Sequence, residues 1–260
     1  MNRDKTIMSN ITPHKVAILV TSCDKYKDLW DPFFTLFFRY WPDCPYPVYL
    51  GTNHLKYNDK RVKTITTSDD DWTSRFRTVF EKIPDPYVIV MNEDFFLTKP
   101  VDTVKIKELI RYMVAQNGGC LRFFPCPGPD LPYLDNPEIG EISKGADYCL
   151  SFQTAIWDKD IFVSLLRDGE STQDLEIYGA KRTEELSNPF LSVIKDPPIS
   201  YIGGVNKGKW VKEAVELCKK EGIEVDLNAR PMQTPVDLFI RSSTVAKLSI
   251  FIKRLFVLKR

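Results

Sequence analysis

Two histidines, twelve glycines and six cysteines in 260 residues leave several common chemistries without their usual parts. Cys23, Cys44, Cys120, Cys126, Cys149 and Cys218 include no Cys-x-x-Cys pair, and only His14 and His54 are on hand to complete a zinc site. Structural zinc is therefore not expected, and reduced thiols in the cytoplasm are. No glycine-rich phosphate loop of the G-x-x-x-x-G-K or G-x-G-x-x-G kind appears, so a kinase-type or dinucleotide site would lack its backbone cradle. No run of about 18 apolar residues occurs, and the polar stretch Met1 to Lys15 has no apolar signal core. One-sided charge is also missing. The 36 Lys and Arg residues face 35 Asp and Glu residues, a net +1, which argues against a general polyanion or nucleic-acid binder.

What is present is an ordinary globular composition, 43% hydrophobic and 12% aromatic, enough for a substantial core. The charge is uneven. Residues 241–260 carry Arg241, Lys247, Lys253, Arg254, Lys259 and Arg260 with no acid, leaving 30 bases and 35 acids in residues 1–240. Val245, Leu248, Ile252, Leu255 and Phe256 share one helical side of that tail, interrupted by Ile250 and Val257. Such a tail suits an anionic membrane surface, where each base near lipid contributes about 1 kcal/mol. A helix packed on the domain or on a second subunit is the alternative.

Strand-like and helix-like segments alternate along the chain. Val16 to Val20 is a continuous apolar run of the kind buried on both faces of a sheet. A helix over Leu29 to Trp41, a strand over Pro47 to Leu50 and a strand over Val62 to Thr66 follow. Ser68 to Asp71 supply acidic caps for a helix over Trp72 to Ile83, ended by Pro84 and Pro86. A strand then begins at Tyr87. Further on, helices are expected over Val104 to Gln116, Lys159 to Arg167 and Val211 to Glu221, the last capped by Gly222. Strands are expected over Cys120 to Phe124, Glu138 to Ile142 and Tyr148 to Ile156, with a proline-rich loop over Pro125 to Tyr133. The succession predicts an α/β domain with a mostly parallel sheet over residues 1–240 and a basic helical tail over 241–260.

In such a sheet ligands bind beyond the carboxyl ends of the strands. Three of those ends are polar or acidic: Thr21 to Asp24, Gly51 to Asn53, and Asn92 to Asp94. The last is the most informative, because Asn92-Glu93-Asp94 interrupts the apolar run Tyr87 to Leu97. Carboxylates at the end of a buried strand are costly without a cation or charged ligand. Oxygens two residues apart there could share a hard divalent cation with diphosphate oxygens, as in a D-x-D pattern. Simple capping of the loop before Pro100 is the structural alternative.

The pattern Asp71-Trp72-Thr73-Ser74-Arg75, an amphipathic helix, then Pro86 to Leu97, resembles the GT-A glycosyltransferases of bacterial surface-polysaccharide assembly, namely capsule, O-antigen and lipopolysaccharide. Thr21-Ser22-Cys23-Asp24-Lys25-Tyr26, Val48 to Asn53, Ser151 to Trp157 and Gly169 to Glu176 fit the same group, so the resemblance spans most of residues 15–230. It implies a GT-A-like, Rossmann-type fold and transfer of a sugar from a nucleotide diphosphate donor, UDP-linked, to a glycan or lipid-linked acceptor with inversion. In that reading Thr21, Ser22, Cys23, Asp24 and Tyr26 hold the nucleoside and Asn53 closes the other side. Asp70, Asp71 and Arg75 lie nearby, with Asn92 and Glu93 at the diphosphate end. Asn92 stands where the family pattern has Asp, which leaves Asp94 as the direct ligand of a Mn²⁺ or Mg²⁺ ion. The base must be another carboxylate facing the acceptor hydroxyl. Asp174 and Glu176 qualify, and the resemblance favours Glu176; a solvated acidic helix start explains either one alone.

The aromatic cluster from Phe33 to Trp41 reads as core, although Trp41 or Trp72 could border the sugar in this reading. Lys209, in the basic and aromatic turn Asn206 to Trp210, is placed to close over the diphosphate, and a plain solvated turn is the equal alternative. The expected setting is cytoplasmic, peripheral at the inner face of the cell membrane. Two other functions stay open. A sugar nucleotidyltransferase shares the sheet and carboxylates but usually needs a glycine-rich loop after the first strand, and a non-catalytic membrane-associated polysaccharide-assembly protein would explain the tail alone.

Overall fold

Continuous apolar runs form the centre of the sheet because both of its faces are covered by helices. The computed structural model describes residues 15–68 and 71–237. The chain divides into two compact units, Met1–Tyr201 and Ile202–Arg260. The basic tail 241–260 with its expected membrane contact, and Asp69 and Asp70, lie outside the described residues.

In the first unit, β1 (Val16–Thr21), β2 (Val48–Thr52), β3 (Val62–Thr66) and β4 (Tyr87–Asn92) are parallel, in the order β3-β2-β1-β4. The short β5 (Phe95–Leu97) follows the turn at Glu93 and Asp94. Beyond β4 the sheet continues through β9 (Ala155–Asp158), β6 (Cys120–Arg122), β10 (Phe190–Val193), β8 (Ile139–Glu141) and β7 (Leu131–Pro132). β9 runs antiparallel to both β4 and β6, so β6 and β10 point the same way as β1 and β4. β8 and β7 close the far edge as antiparallel pairs.

Crossover handedness sorts the helices. The chain moves from β1 through α1 (Trp30–Tyr40) to β2 and β3, then reverses through α2 (Trp72–Lys82) to β4, which puts α1 and α2 on opposite faces. On the α2 face, Ala17, Leu19, Val88, Val90, Cys120, Ala155 and Trp157 pack in one buried cluster. Phe76, Val79 and Phe80 of α2, Phe162 and Leu165 of α4 (Lys159–Leu165), and Leu175 and Ala180 of a helical run over 172–185 complete it. The alternate strand residues Ile18, Val20, Ile89 and Met91 are equally buried. α3 (Thr103–Ala115) is tied to the end of α1 by Trp41 Nε1 donating to Thr103 Oγ1 at 2.9 Å. Aspartates start three helices: Asp71, Asp102 and Asp158 each accept a backbone N–H from the first turn.

The second unit is small. Val205–Asn206 and Lys209–Trp210 form a hairpin whose turn residues Lys207 and Gly208 both have positive φ, 50° and 77°. The helix Lys212–Lys220 buries Ala214 and Cys218, and Gly222 sits just past it at φ 69°, as its position predicts.

Three expectations shift. The helix expected over Leu29 to Trp41 runs from Trp30 to Tyr40 and is preceded by a 3-10 turn, Asp24–Leu29, whose first residue is tied to the loop after β2 through its carboxylate and its N–H. The strand over Cys120 to Phe124 ends at Arg122. The strand over Tyr148 to Ile156 is confined to Ala155–Asp158: Tyr148 takes φ 61°, and the backbone of 148–152 is engaged by polar side chains instead of a neighbouring strand.

Candidate functional site

β1 feeds β2 and β3 on one side while β4 lies on the other, so strand order reverses between β1 and β4. The crevice beyond the carboxyl ends of two such strands is where open α/β sheets take ligands. Parallel register sets Thr21 opposite Gly51 on β2 and opposite Asn92 on β4. The three polar strand ends singled out in the sequence thus stand side by side.

A hydrogen-bond chain crosses the reversal. Thr21 Oγ1 donates to Asn92 Oδ1 at 2.8 Å, and Asn92 Nδ2 donates to the Phe152 carbonyl at 3.4 Å. The Phe152 N–H donates in turn to Glu176 Oε1 at 3.3 Å. The Trp72 ring meets the Phe152 ring edge-on at 5.2 Å, which puts Trp72 beside the same segment. At the end of β1, Ser22 Oγ accepts from Trp30 Nε1 at 2.8 Å, and the Ser22 carbonyl accepts from Arg75 Nη2 at 3.0 Å. Arg75 Nε is buried with no hydrogen-bond partner, and among the described residues Arg75 forms no ion pair. Burial pushes the Cys23 thiol up, helped by the Glu93 charge and opposed by that of Arg75, so Cys23, Glu93 and Arg75 share one neighbourhood.

Other expected residues serve the scaffold of the crevice. The Asp24 carboxylate accepts from the backbone N–H groups of Asn53, His54 and Leu55 at 3.1 to 3.3 Å, and Asn53 Oδ1 accepts from the Asp24 N–H at 3.2 Å. This reciprocal pair sews the loop after β1 to the loop after β2. Tyr26 stands half-buried in the 3-10 turn between them, its N–H donating to the Cys23 carbonyl at 2.9 Å. Asp71 accepts from the hydroxyls of Thr73 and Ser74 and from the N–H groups of Ser74 and Gly169. Those bonds, the Ser74 hydroxyl first, hold its carboxyl well below the usual range and bind α2 to the loop before Glu176. Lys209 belongs to the second unit, where its Nζ lies 2.8 Å from Asp237 Oδ1.

Asp174 and Glu176 differ sharply in surroundings. Ser171 and Asp174 form a capping box: Asp174 Oδ2 accepts from the Ser171 N–H at 3.0 Å and from its hydroxyl at 2.6 Å, and these bonds hold Asp174 low. Glu176 sits in a π-helical turn, Leu175–Gly179, half-buried. Burial pushes its carboxyl up, while the Phe152 N–H and the Arg122 charge pull it back. Gly179 lets two leucine side chains pack against this turn: a Cβ there would stand 2.5 Å from Leu175 Cδ1 and 2.7 Å from Leu150 Cδ1.

Sequence reasoning missed Arg122, Gln153 and Tyr201. Tyr201 stacks on Phe95 at 4.4 Å, accepts from the Thr154 N–H at 3.2 Å and donates to Gln153 Oε1 at 2.6 Å. The signal for Arg122 was available: a lone charge inside the apolar run Cys120 to Phe124 is as costly as the acids after β4.

For a divalent cation the donor set is thin. Among the described residues no three His, Cys, Asp or Glu side chains are grouped as ligands. Asn92 Oδ1 and Nδ2 are already committed to Thr21 and Phe152. Asp94 fits only a cation whose remaining ligands are diphosphate oxygens and water, a mode open to Mg²⁺. Among the described residues no helix is long and apolar enough to cross a membrane.

No protein-family model and no curated protein matches the sequence. The solved structures it resembles include residues 1–349 of S. aureus TarS in complex with UDP-GlcNAc, at 11% identity and TM-score 0.46 over 74% of this chain and 59% of that one. Bifunctional IspDF from Campylobacter jejuni matches at 13% identity and TM-score 0.42, over 73% of this chain and 52% of that one. A cytidylyltransferase from Leptospira borgpetersenii serovar Hardjo-bovis matches at 12% identity and TM-score 0.45, over 85% and 98%. The chain spans 59% of that TarS fragment and 52% of IspDF. By its own strand order it is a mixed α/β protein of the Rossmann-like class, a mostly parallel sheet flanked by helices.

Proposed function

We propose that the first unit is a GT-A-like glycosyltransferase of bacterial surface-polysaccharide assembly that moves a sugar from a UDP-linked donor to a glycan or lipid-linked acceptor with inversion. The observation that carries this reading is the hydrogen-bond chain from Thr21 through Asn92 and Phe152 to Glu176. It joins the reversal of the sheet, where a nucleotide would sit, to a carboxylate whose burial makes it a stronger base than a solvated one. The loops after β1 and β2 would hold the nucleoside, and Arg75 would face the diphosphate from α2. A Mg²⁺ or Mn²⁺ ion held by Asp94 would add charge neutralisation at the departing diphosphate.

In this scheme Glu176 takes the proton from the acceptor hydroxyl as its oxygen bonds to the anomeric carbon. The bond from that carbon to the diphosphate breaks and the electron pair leaves with the nucleoside diphosphate. Asp174, tied to Ser171, opens the helical run that presents Glu176. The tail 241–260 would bring the enzyme to an anionic membrane where a lipid-linked acceptor lies.

The experiment is a donor panel with product mass measurement on three proteins. Wild type should release nucleoside diphosphate, Asp94→Ala should lose donor binding, and Glu176→Gln should bind donor without turnover. Release of pyrophosphate in place of nucleoside diphosphate would identify a nucleotidyltransferase and overturn the proposal.

A further inference from the structure

Arg122, at the end of β6, is 1% exposed and surrounded by uncharged groups: the Cys120, Cys149 and Cys126 thiols and the Tyr201 hydroxyl. Its Nη1 donates to the Pro127 carbonyl at 2.6 Å, and its Nη2 donates to the carbonyls of Tyr148 and Cys149 at 2.9 and 3.2 Å. Nε is buried without a partner. Among the described residues no carboxylate stands at ion-pair distance from it. A guanidinium so placed is costly unless its charge is used.

The pleat says where that charge points. Cys120 and Arg122 are two apart on β6 and share a face of the sheet. Cys120 packs in the cluster that holds Leu175 and Ala180, so Arg122 lies on the face covered by the helical run of Glu176. Two of the three carbonyls that Arg122 grips, those of Tyr148 and Cys149, belong to the segment ending at Phe152, whose N–H meets Glu176. We propose that Arg122 is a positioning residue for Glu176: its fork fixes the segment that presents the Phe152 N–H, and its buried charge offsets part of the cost of burying the Glu176 carboxylate.

The groups around Glu176 leave that role to Arg122. β6 offers Arg122 and the neutral Cys120, and the 148–152 segment offers the Cys149 thiol. The helical run offers Asp174, held by Ser171, and Arg182, paired with Glu170 at 2.7 Å. The inference rests on Glu176 as the base, but its test does not need turnover. Glutamate side-chain ¹³C resonances would be titrated in the full chain without ligand, with Glu176 assigned by its loss in Glu176→Gln. In Arg122→Gln the Glu176 midpoint should move to higher pH. In Arg122→Lys, which keeps the charge and loses the fork, the midpoint should stay near that of wild type while the Phe152 amide resonance moves. An unmoved midpoint in a folded Arg122→Gln protein overturns the proposal. Should that variant fail to fold, Arg122→Lys decides: an unmoved Phe152 amide, or a midpoint displaced as far as burial alone would carry it, overturns it equally. Retained turnover in Glu176→Gln would instead sink the base assignment while leaving the titration result standing.

Discussion

Replacing Glu176 by Gln and by Ala separates what the carboxylate does for the fold from what it does for chemistry. Gln keeps an oxygen for the Phe152 N–H now bonded at 3.3 Å. Ala loses that bond, about 1 kcal/mol net, and a buried methylene, about 0.8 kcal/mol, so it should be roughly 2 kcal/mol less stable than Gln. For a unit of this size that is about 4–8 °C in midpoint temperature. Both variants should lose turnover alike, by about 10²–10⁴-fold, the usual contribution of a general base. pH adds a second axis. Because burial raises the folded-state value of Glu176, the stability it contributes is fully present below its unfolded value of roughly 4.3 and is lost as pH rises through the folded value. The Gln variant carries no such loss, so its midpoint should gain on that of wild type between pH 4 and 8. Thermal melts across that range, with donor turnover at fixed pH, test all three points. Undiminished turnover in Glu176→Gln would rule out Glu176 as the base, and a Gln midpoint that does not gain with pH would rule out a raised Glu176 carboxyl.

Three further outcomes follow from the geometry. Gly179→Ala places a methyl 2.5 Å from Leu175 Cδ1 in a packed turn, and urea unfolding should show a loss of about 1–3 kcal/mol. Asp71→Ala removes the α2 cap, a loss of about 1 kcal/mol at neutral pH. Since hydrogen bonds hold Asp71 low in the folded state, its contribution is present above roughly pH 4 and fades as pH falls, so wild type and Asp71→Ala should converge in acid melts. Thr21→Val deletes the hydroxyl that steadies Asn92 at 2.8 Å with little change in volume; calorimetry should show weaker donor binding in a folded protein.

β3 and the start and end of α2 were readable to within a residue because apolar periodicity and cap chemistry are local. Val62–Thr66 is a strand as expected, and Asp71 caps the helix that begins at Trp72. Strand direction is not local. Ala155–Asp158 has the same period-2 pattern whichever way it runs, so its antiparallel insertion between β4 and β6 had no sequence signature. The 148–152 segment reads as strand from its side chains, yet it is bent by partners far away in sequence, Arg122 and Glu176. At the site, the acidic end of β4 and the carboxylates at 174 and 176 stand out in the sequence as clustered charge. The capping box of Ser171 and Asp174 is what separates the surroundings of the two acids. Arg122 was legible as a lone charge in the apolar run Cys120 to Phe124, but its partners, the carbonyls of residues 127, 148 and 149, follow only from the fold.

Everything proposed for the site depends on a nucleoside diphosphate entering the crevice beyond β1 and β4. Isothermal titration of UDP, GDP, CDP and their sugars into wild type and Arg75→Met, each with and without Mg²⁺ or Mn²⁺, measures it most directly. Saturable one-site binding of a uridine diphosphate species is expected, weakened at least tenfold in Arg75→Met, which loses the bond to the Ser22 carbonyl but stays folded. Absence of binding across the panel, or equal affinity in the two proteins, would contradict it.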